Sequence, residues 1–419
     1  MFTFLNEKYC SPRWSWEFID CAMPMTFDTY SNCGYNCQYC FATFQRAVWG
    51  PKERYLRKEV KKVDVEKVKR MFSDPDKYGG QFKDYIKGKY VLQWGWMSDP
   101  FCHIEEQGQI WLELLKFFND IDYPIRFSSK SDIFLRDDRY LKEMERGKDR
   151  FAFMSSIITY DPAVSKLVEA GTPSPQRRME TLKTLSDLWV WTVLRLRPYI
   201  IGITDRTVKE IINQAWKAGV KACSTEFFCV ESRTTPEVRK KFQVISDQCW
   251  FDIFEMYRKN TNTRGYMRLS KKFTQPYMDE LINLCKKNNI LLACSDPKHK
   301  EVNFSNSCCG LPNHWPFLQV HKGQYLPAIN LAKIKGYVTW DDVEKFSVLQ
   351  NVAWFNAEWL NQWNWKMRAK AGAMTMNEKI KEFWDNPKSW NSPYKLFEWL
   401  LEPKGLDTKG NIIYIYKWK

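Results

Sequence analysis

Three cysteines stand at x3 and x2 spacing in the segment Asn32-Cys33-Gly34-Tyr35-Asn36-Cys37-Gln38-Tyr39-Cys40-Phe41, directly after an extended run over 23–32. Three thiolates on one short loop can each bind a different iron of a cubane cluster, leaving a fourth iron open for a substrate or cofactor. Gly34 and Asn36 are residue types that let a loop wrap tightly. Zinc is one rival, but a structural zinc takes four donors, usually as two paired knuckles, and no second pair lies nearby. Coincidence is the other, in a chain with 13 cysteines. The position after a strand and the aromatic Tyr39 before the third cysteine speak against it.

Such a loop needs a scaffold, and the sequence predicts one. Apolar, β-branched runs at 23–32, 89–96, 125–130, 151–159, 190–200 and 221–230 read as strands. Amphipathic patterns at 63–72, 108–120, 138–144, 175–188 and 207–219 lie between them. Strand–helix alternation implies a parallel sheet. Six such units fit an α/β fold, a partial (β/α)6 TIM-like barrel, whose chemistry belongs at the C-terminal ends of its strands. Beyond 232 the rhythm weakens to a helix at 276–289, a strand at 291–297 and a polar loop at 304–315. The expected organisation is an N-terminal extension (1–21), a barrel core (22–232), a completing segment with a Cys-rich loop (233–315) and a helical, aromatic-rich extension (316–419).

Composition removes other classes. The chain has 419 residues, 44% of them hydrophobic, which supports a full core without disulfide staples. No apolar run approaches the ~18 residues of a membrane span. Glu7 and Lys8 interrupt the start where a signal peptide needs an apolar core. A cytoplasmic protein with no membrane partner is expected, its cysteines serving as ligands, catalytic groups or buried hydrophobes. A net charge of +15 suits a polyanionic partner or a solubilising surface.

The triplet, Tyr39 and their place after the first strand resemble the radical S-adenosylmethionine (SAM) superfamily. Further segments resemble its spore photoproduct lyase-like branch: Trp96-Met97-Ser98-Asp99-Pro100-Phe101 with Glu105, Phe127-Ser128-Ser129-Lys130-Ser131, Ser155-Ser156, Glu169 to Arg178, and Leu194 to Asp205. The resemblance implies that Cys33, Cys37 and Cys40 ligate a 4Fe–4S cluster whose open iron takes SAM. It places Tyr39 near the adenine. Ser98, Lys130 and Ser156 would face the cofactor, with backbone around Met97 and Gly202; Phe41 and Asp99 belong to the same cofactor-binding set. An electron donor such as flavodoxin or ferredoxin is implied as well. Two departures stand out. Spore photoproduct lyases carry a hydrogen-donating Cys where this chain has Trp96 and a Tyr where it has Phe41, so thymine-dimer repair itself is in doubt unless Cys102 or another thiol substitutes.

Other features stay open. Arg195 and Arg197 share a strand face, so each needs an anion: a carboxylate, a phosphate, or Glu226 on the next strand. Cys294, Cys308 and Cys309 could be buried, act as redox thiols, or hold an auxiliary iron–sulfur cluster. Trp354, Phe355, Trp359, Trp363 and Trp365, followed by Lys366, Arg368 and Lys370, could stack on unpaired bases or pack as a helical cap. The expected substrate is a nucleic-acid base or nucleotide. The alternatives are a peptide or small metabolite, and, with less support, a non-enzymatic iron–sulfur or zinc protein.

Overall fold

The computed structural model describes residues 2–14, 21–42, 59–232, 234–261, 266–317, 325–344, 375–397 and 400–417. Its strands are, in chain order, β1 (Thr3–Tyr9), β2 (Arg13–Trp14), β3 (Met25–Phe27), β4 (Glu59–Val63), β5 (Leu92–Trp94), β6 (Ile125–Ser129), β7 (Phe151–Ser156) and β8 (Trp191–Tyr199). There follow β9 (Ala222–Phe227), β10 (Val230–Glu231), β11 (Tyr266–Met267), β12 (Leu291–Cys294), β13 (Tyr337–Val338), β14 (Leu401–Leu406) and β15 (Ile412–Tyr416).

Eight strands form the main sheet in the order β12-β9-β8-β7-β6-β5-β3-β2. All neighbours are parallel except β2, which runs antiparallel to β3. Spatial order follows chain order, so the sheet winds in one sense instead of reversing at a switch point as a doubly wound sheet does. The sheet is therefore an incomplete barrel, and each predicted strand has a counterpart in it.

Side-chain alternation gives the sheet two faces. Phe127, Phe153, Leu194 and Cys223 join one large core with the surrounding helices. Helix Pro175–Asp187 packs on β7 and β8. Residues of the other parity, Ala152, Met154, Val193 and Ala222, form a smaller core with Cys308, Cys309, Leu311 and Phe317. The loop after β12 thus closes the floor of the barrel. Gly310 makes this possible: its φ is +70°, and a Cβ there would stand 3.2 Å from both Ala222 and Val193 side chains. Trp191 Nε1 and Ser224 Oγ anchor the loop by donating to the carbonyls of Gly310 and Cys308, each at 2.9 Å.

The C-terminal extension has helices Tyr325–Lys335 and Met376–Trp384 as expected, together with a three-stranded sheet, β13-β15-β14, that the sequence did not suggest. Trp384 lies at its centre against Tyr325, Trp340 and Tyr414. The tryptophan series 354–365 and the cations after it lie outside the described residues. Among the described residues no helix is long and apolar enough to cross a membrane.

Candidate active site

The cysteine loop leaves the C-terminal end of β3 and is fastened to the segment after β7. Gln38 N donates to Val168 O at 2.8 Å, and Cys37 forms a bridge with Glu169. Gly171 allows the two backbones to meet, since a Cβ there would stand 3.1 Å from Tyr35 Cα.

A buried ion pair holds this contact from below. Arg178 Nη2 lies 2.7 Å from Glu169 Oε2, with both side chains wholly buried. Arg178 also donates to Ser156 O at 2.5 Å and Ser165 Oγ at 3.0 Å. The Tyr39 hydroxyl donates to the other oxygen of Glu169. Burial opposes the charge on Glu169, but Arg178 and Lys130 outweigh it and hold the carboxyl below its usual range. The cysteine loop, the end of β7 and the helix Pro175–Asp187 are therefore one network.

A second carboxylate shapes the turn after β5. Asp28 Oδ1 accepts from the backbone N–H groups of Trp96, Met97 and Ser98 at 2.9, 2.9 and 3.1 Å. Its Oδ2 pairs with Arg13 at 2.6 Å. This turn does not offer those N–H groups to a ligand. Ser98 Oγ donates to Tyr30 O at 2.9 Å. Asp99 in turn accepts from Ser129 Oγ and Lys130 N, both at 2.7 Å, linking the β5 turn to the end of β6.

Lys130 projects beside the cysteine loop, its Nζ 5.6 Å from the Tyr39 ring centroid. Burial works against its charge, yet Cys37, Glu169 and Asp99 raise its pKa overall. Burial pushes the Cys37 thiol up to about 12 despite Lys130. Cys33 shifts downward, chiefly because Cys102 hydrogen-bonds to it. Cys102 itself is fully buried behind the loop and accepts from Gly34 N at 3.2 Å. Lys241, from helix Pro236–Cys249, caps the loop from outside, its Nζ 2.9 Å from Asn36 Oδ1. Burial lowers its pKa, with Cys40, Cys37 and Cys33 acting against that.

The two departures from the lyase pattern meet in space: Phe41 and Trp96 form an edge-on ring contact at 5.7 Å. Gly202 sits in the turn after β8, its N–H taken by Asp205 at 2.6 Å, against Phe251 and Cys249.

On the inner face, Ser156 and Arg195 are register neighbours, joined at 3.1 Å from Nη1 to Oγ. Arg197 pairs with Glu226, which also accepts from Arg268 at 3.3 Å and Ser295 Oγ at 3.0 Å. Burial alone would raise Glu226, but Arg197 and Arg268 bring it to about 2.

The grouping of Cys294 with Cys308 and Cys309 needs correction. Cys294 packs in the outer core, near Cys223 and Cys285. Cys308 and Cys309 belong to the inner floor. The sheet separates them, and one cluster cannot be ligated from both of its faces.

Among the described residues no group of three His, Cys, Asp or Glu donors converges as a single metal ion requires. A cubane asks for something else, since each thiolate binds a different iron and the donors stand further apart. Three thiols on one loop, fastened at Val168 and Glu169 and capped by Lys241, suit that demand.

No family model matches the chain. It is 25% identical over 266 residues to an uncharacterised protein of Methanocaldococcus jannaschii, MJ0683, spanning 63% of this chain and 86% of that one. Among solved structures it is similar to a Cys-to-Ser mutant of spore photoproduct lyase: TM-score 0.51, 14% identity, 70% of this chain and 81% of the other. A spore photoproduct lyase mutant with bound AdoMet and dinucleoside spore photoproduct aligns at TM-score 0.48 and 14% identity, covering 66% and 78%. At this identity the likeness is one of fold: the chain has a fold similar to that of spore photoproduct lyase.

Proposed function

We propose that the chain is a radical SAM enzyme. One observation carries the reading: the cysteine triplet sits at the C-terminal end of the first strand of an incomplete parallel barrel, where such barrels place their chemistry. Cys33, Cys37 and Cys40 would hold a 4Fe–4S cluster. The chemistry that such a cluster and SAM would supply is one-electron cleavage of the sulfonium C5′–S bond, the electron coming from the reduced cluster, to give methionine and a 5′-deoxyadenosyl radical able to abstract hydrogen.

The chain's own residues supply position and charge. Lys130 offers a half-buried cation for the carboxylate of the cofactor. Tyr39, Glu169 and Arg178 fix the loop. Trp96 and Phe41 stand where spore photoproduct lyases carry a Cys and a Tyr, and neither has a thiol or phenol to return hydrogen. The reaction is therefore proposed to leave 5′-deoxyadenosine as a product. The substrate we favour is a nucleotide or nucleic-acid base, supported by the net charge of +15 and by the lyase-like fold.

Anaerobic reconstitution tests the cluster. About four irons per chain are expected, and Ser replacement of any one of the three cysteines should abolish loading. About eight irons per chain would instead mean a second cluster with ligands other than Cys294, Cys308 and Cys309 together and, with it, favour a peptide or small-metabolite substrate.

A further inference from the structure

The barrel interior gathers several cations, and Glu226, Asp99, Asp296 and the Cys309 thiol, which Cys308 and Arg126 hold well below its usual range, are the acidic groups near them. Arg126 from β6, Lys130 after it, and Arg195 and Arg197 from β8 all belong to the inner parity of the sheet. Arg268 and Lys300 also act on Glu226. Glu226 is taken by Arg197 and Arg268. Glu169 is taken by Arg178, and Asp99 by Ser129 and Lys130 N.

Arg195 is left over. Among the described residues it has no carboxylate within ion-pair distance, its Nη1 donates to Ser156 Oγ, and its Nε finds no acceptor. Arg126, only 3% exposed, points Nη2 at Gln93 Oε1 (3.3 Å) and Cys309 Sγ (3.1 Å), and its Nε is likewise unmatched. Burial, with Arg197 and Arg126 nearby, pushes Arg195 down to about 9. Arg126 is buried and Arg195 half-buried with its Nε shut off from water; a guanidinium so placed without a carboxylate partner is costly, and a fold keeps one chiefly where an anion will meet it.

We propose that Arg195, assisted by Arg126, binds the oxyanion of a small substrate, a terminal phosphate or a carboxylate, inside the barrel. The identification of that ligand as substrate rests on the radical SAM reading; the binding does not. The floor is closed by the loop at Cys308–Leu311, so the ligand enters from the mouth with its acidic end leading. Arg195 is aligned with Ser156, the last residue of β7, whereas Arg126 is the second residue of β6 and lies nearer the floor, with its Nη2 on Cys309. A terminal anionic group entering from the mouth would reach Arg195 first and Arg126 beyond it; the internal phosphates of a duplex could not follow it in.

Calorimetric titration of the full-length protein tests this with inorganic phosphate, a 5′-mononucleotide, its nucleoside, and succinate as probes. The mononucleotide should bind and the nucleoside should not. Arg195→Met should weaken oxyanion binding about 10- to 100-fold, the range of a lost charge-assisted hydrogen bond. Arg195→Lys should keep part of it. Binding of phosphate and the nucleotide, or of succinate alone, assigns the phosphate or the carboxylate source respectively.

Thermal melting separates this from a structural role. Arg195→Met without ligand should melt higher than wild type, because a half-buried charge with no carboxylate partner is gone, whereas a structural arginine would make it melt lower. Unchanged oxyanion affinity in Arg195→Met overturns the proposal, as does a loss confined to SAM, which would assign Arg195 to the cofactor. Failure of SAM cleavage would leave these titrations intact and count only against the enzymatic reading.

Discussion

Arg178→Ala lowers the unfolding free energy by about 3–5 kcal/mol, the usual cost of leaving one member of a buried ion pair alone. The pair is fully buried, so solvent cannot compensate Glu169. Ser156 O, Ser165 Oγ and the Tyr39 hydroxyl all share the network, so the loss reaches the cysteine loop as well as the helix Pro175–Asp187. Glu169→Ala should cost a similar amount. The double variant Glu169→Leu with Arg178→Met should regain much of the loss, since two apolar groups remove both desolvated charges. Urea denaturation midpoints measure the stability, and iron content after reconstitution measures the loop. Single variants that keep wild-type stability and load iron fully would show that the pair does not hold the loop.

The second large effect is a pH dependence at Glu105. This buried carboxylate accepts from Tyr30 at 2.5 Å, Tyr140 at 2.6 Å and the N–H groups of Trp111 and Leu112 at 2.9 and 3.3 Å. Burial outweighs those bonds and raises its pKa to about 7 from the model-peptide 4.5. Tyr30 and Tyr140 are themselves raised by burial, so they do not titrate in this range. Between these two values the folded protein binds more protons than the unfolded chain, so stability falls as pH rises. The loss, about 3 kcal/mol, is spread from pH ~4.5 to ~7 and flattens above that. Glu105→Gln should remove this component. The difference in unfolding free energy between variant and wild type, followed from pH 5 to 8, isolates it; a pH-independent difference would contradict the assignment.

Much of the scaffold was legible because strand alternation and helical period are local signals. Each strand of the main sheet from β3 to β12 lies within or overlaps an apolar run visible in the sequence. The parity of Arg195 and Arg197 followed from the two-residue repeat, and the structure showed which of the two Glu226 satisfies. The tail sheet was missed for a reason that is also local. β14 contains Pro403 and Gly405, which argue against a strand, yet it pairs only with β15 and an edge strand tolerates proline.

Long-range partners left no signal. Asp28 reads as one of several polar residues closing a strand run, and its acceptor role depends on three N–H groups of a turn some seventy positions later. Nearness in sequence misled at the second cysteine group, because the strand residue Cys294 and the loop that carries Cys308 and Cys309 ended on opposite faces of the sheet. Where Phe41 and Trp96 departed from the family pattern, only the fold revealed that the two positions touch.

The most direct measurement is 5′-deoxyadenosine formation by protein reconstituted anaerobically with iron and sulfide, reduced with dithionite and given SAM. Runs with and without mononucleotide, DNA and RNA cover the case in which cleavage needs bound substrate. The account predicts 5′-deoxyadenosine from the wild type and none from Cys33→Ala, Cys37→Ala or Cys40→Ala. A fully loaded wild type that forms none under every one of these conditions, or cysteine variants that form as much as wild type, would contradict it.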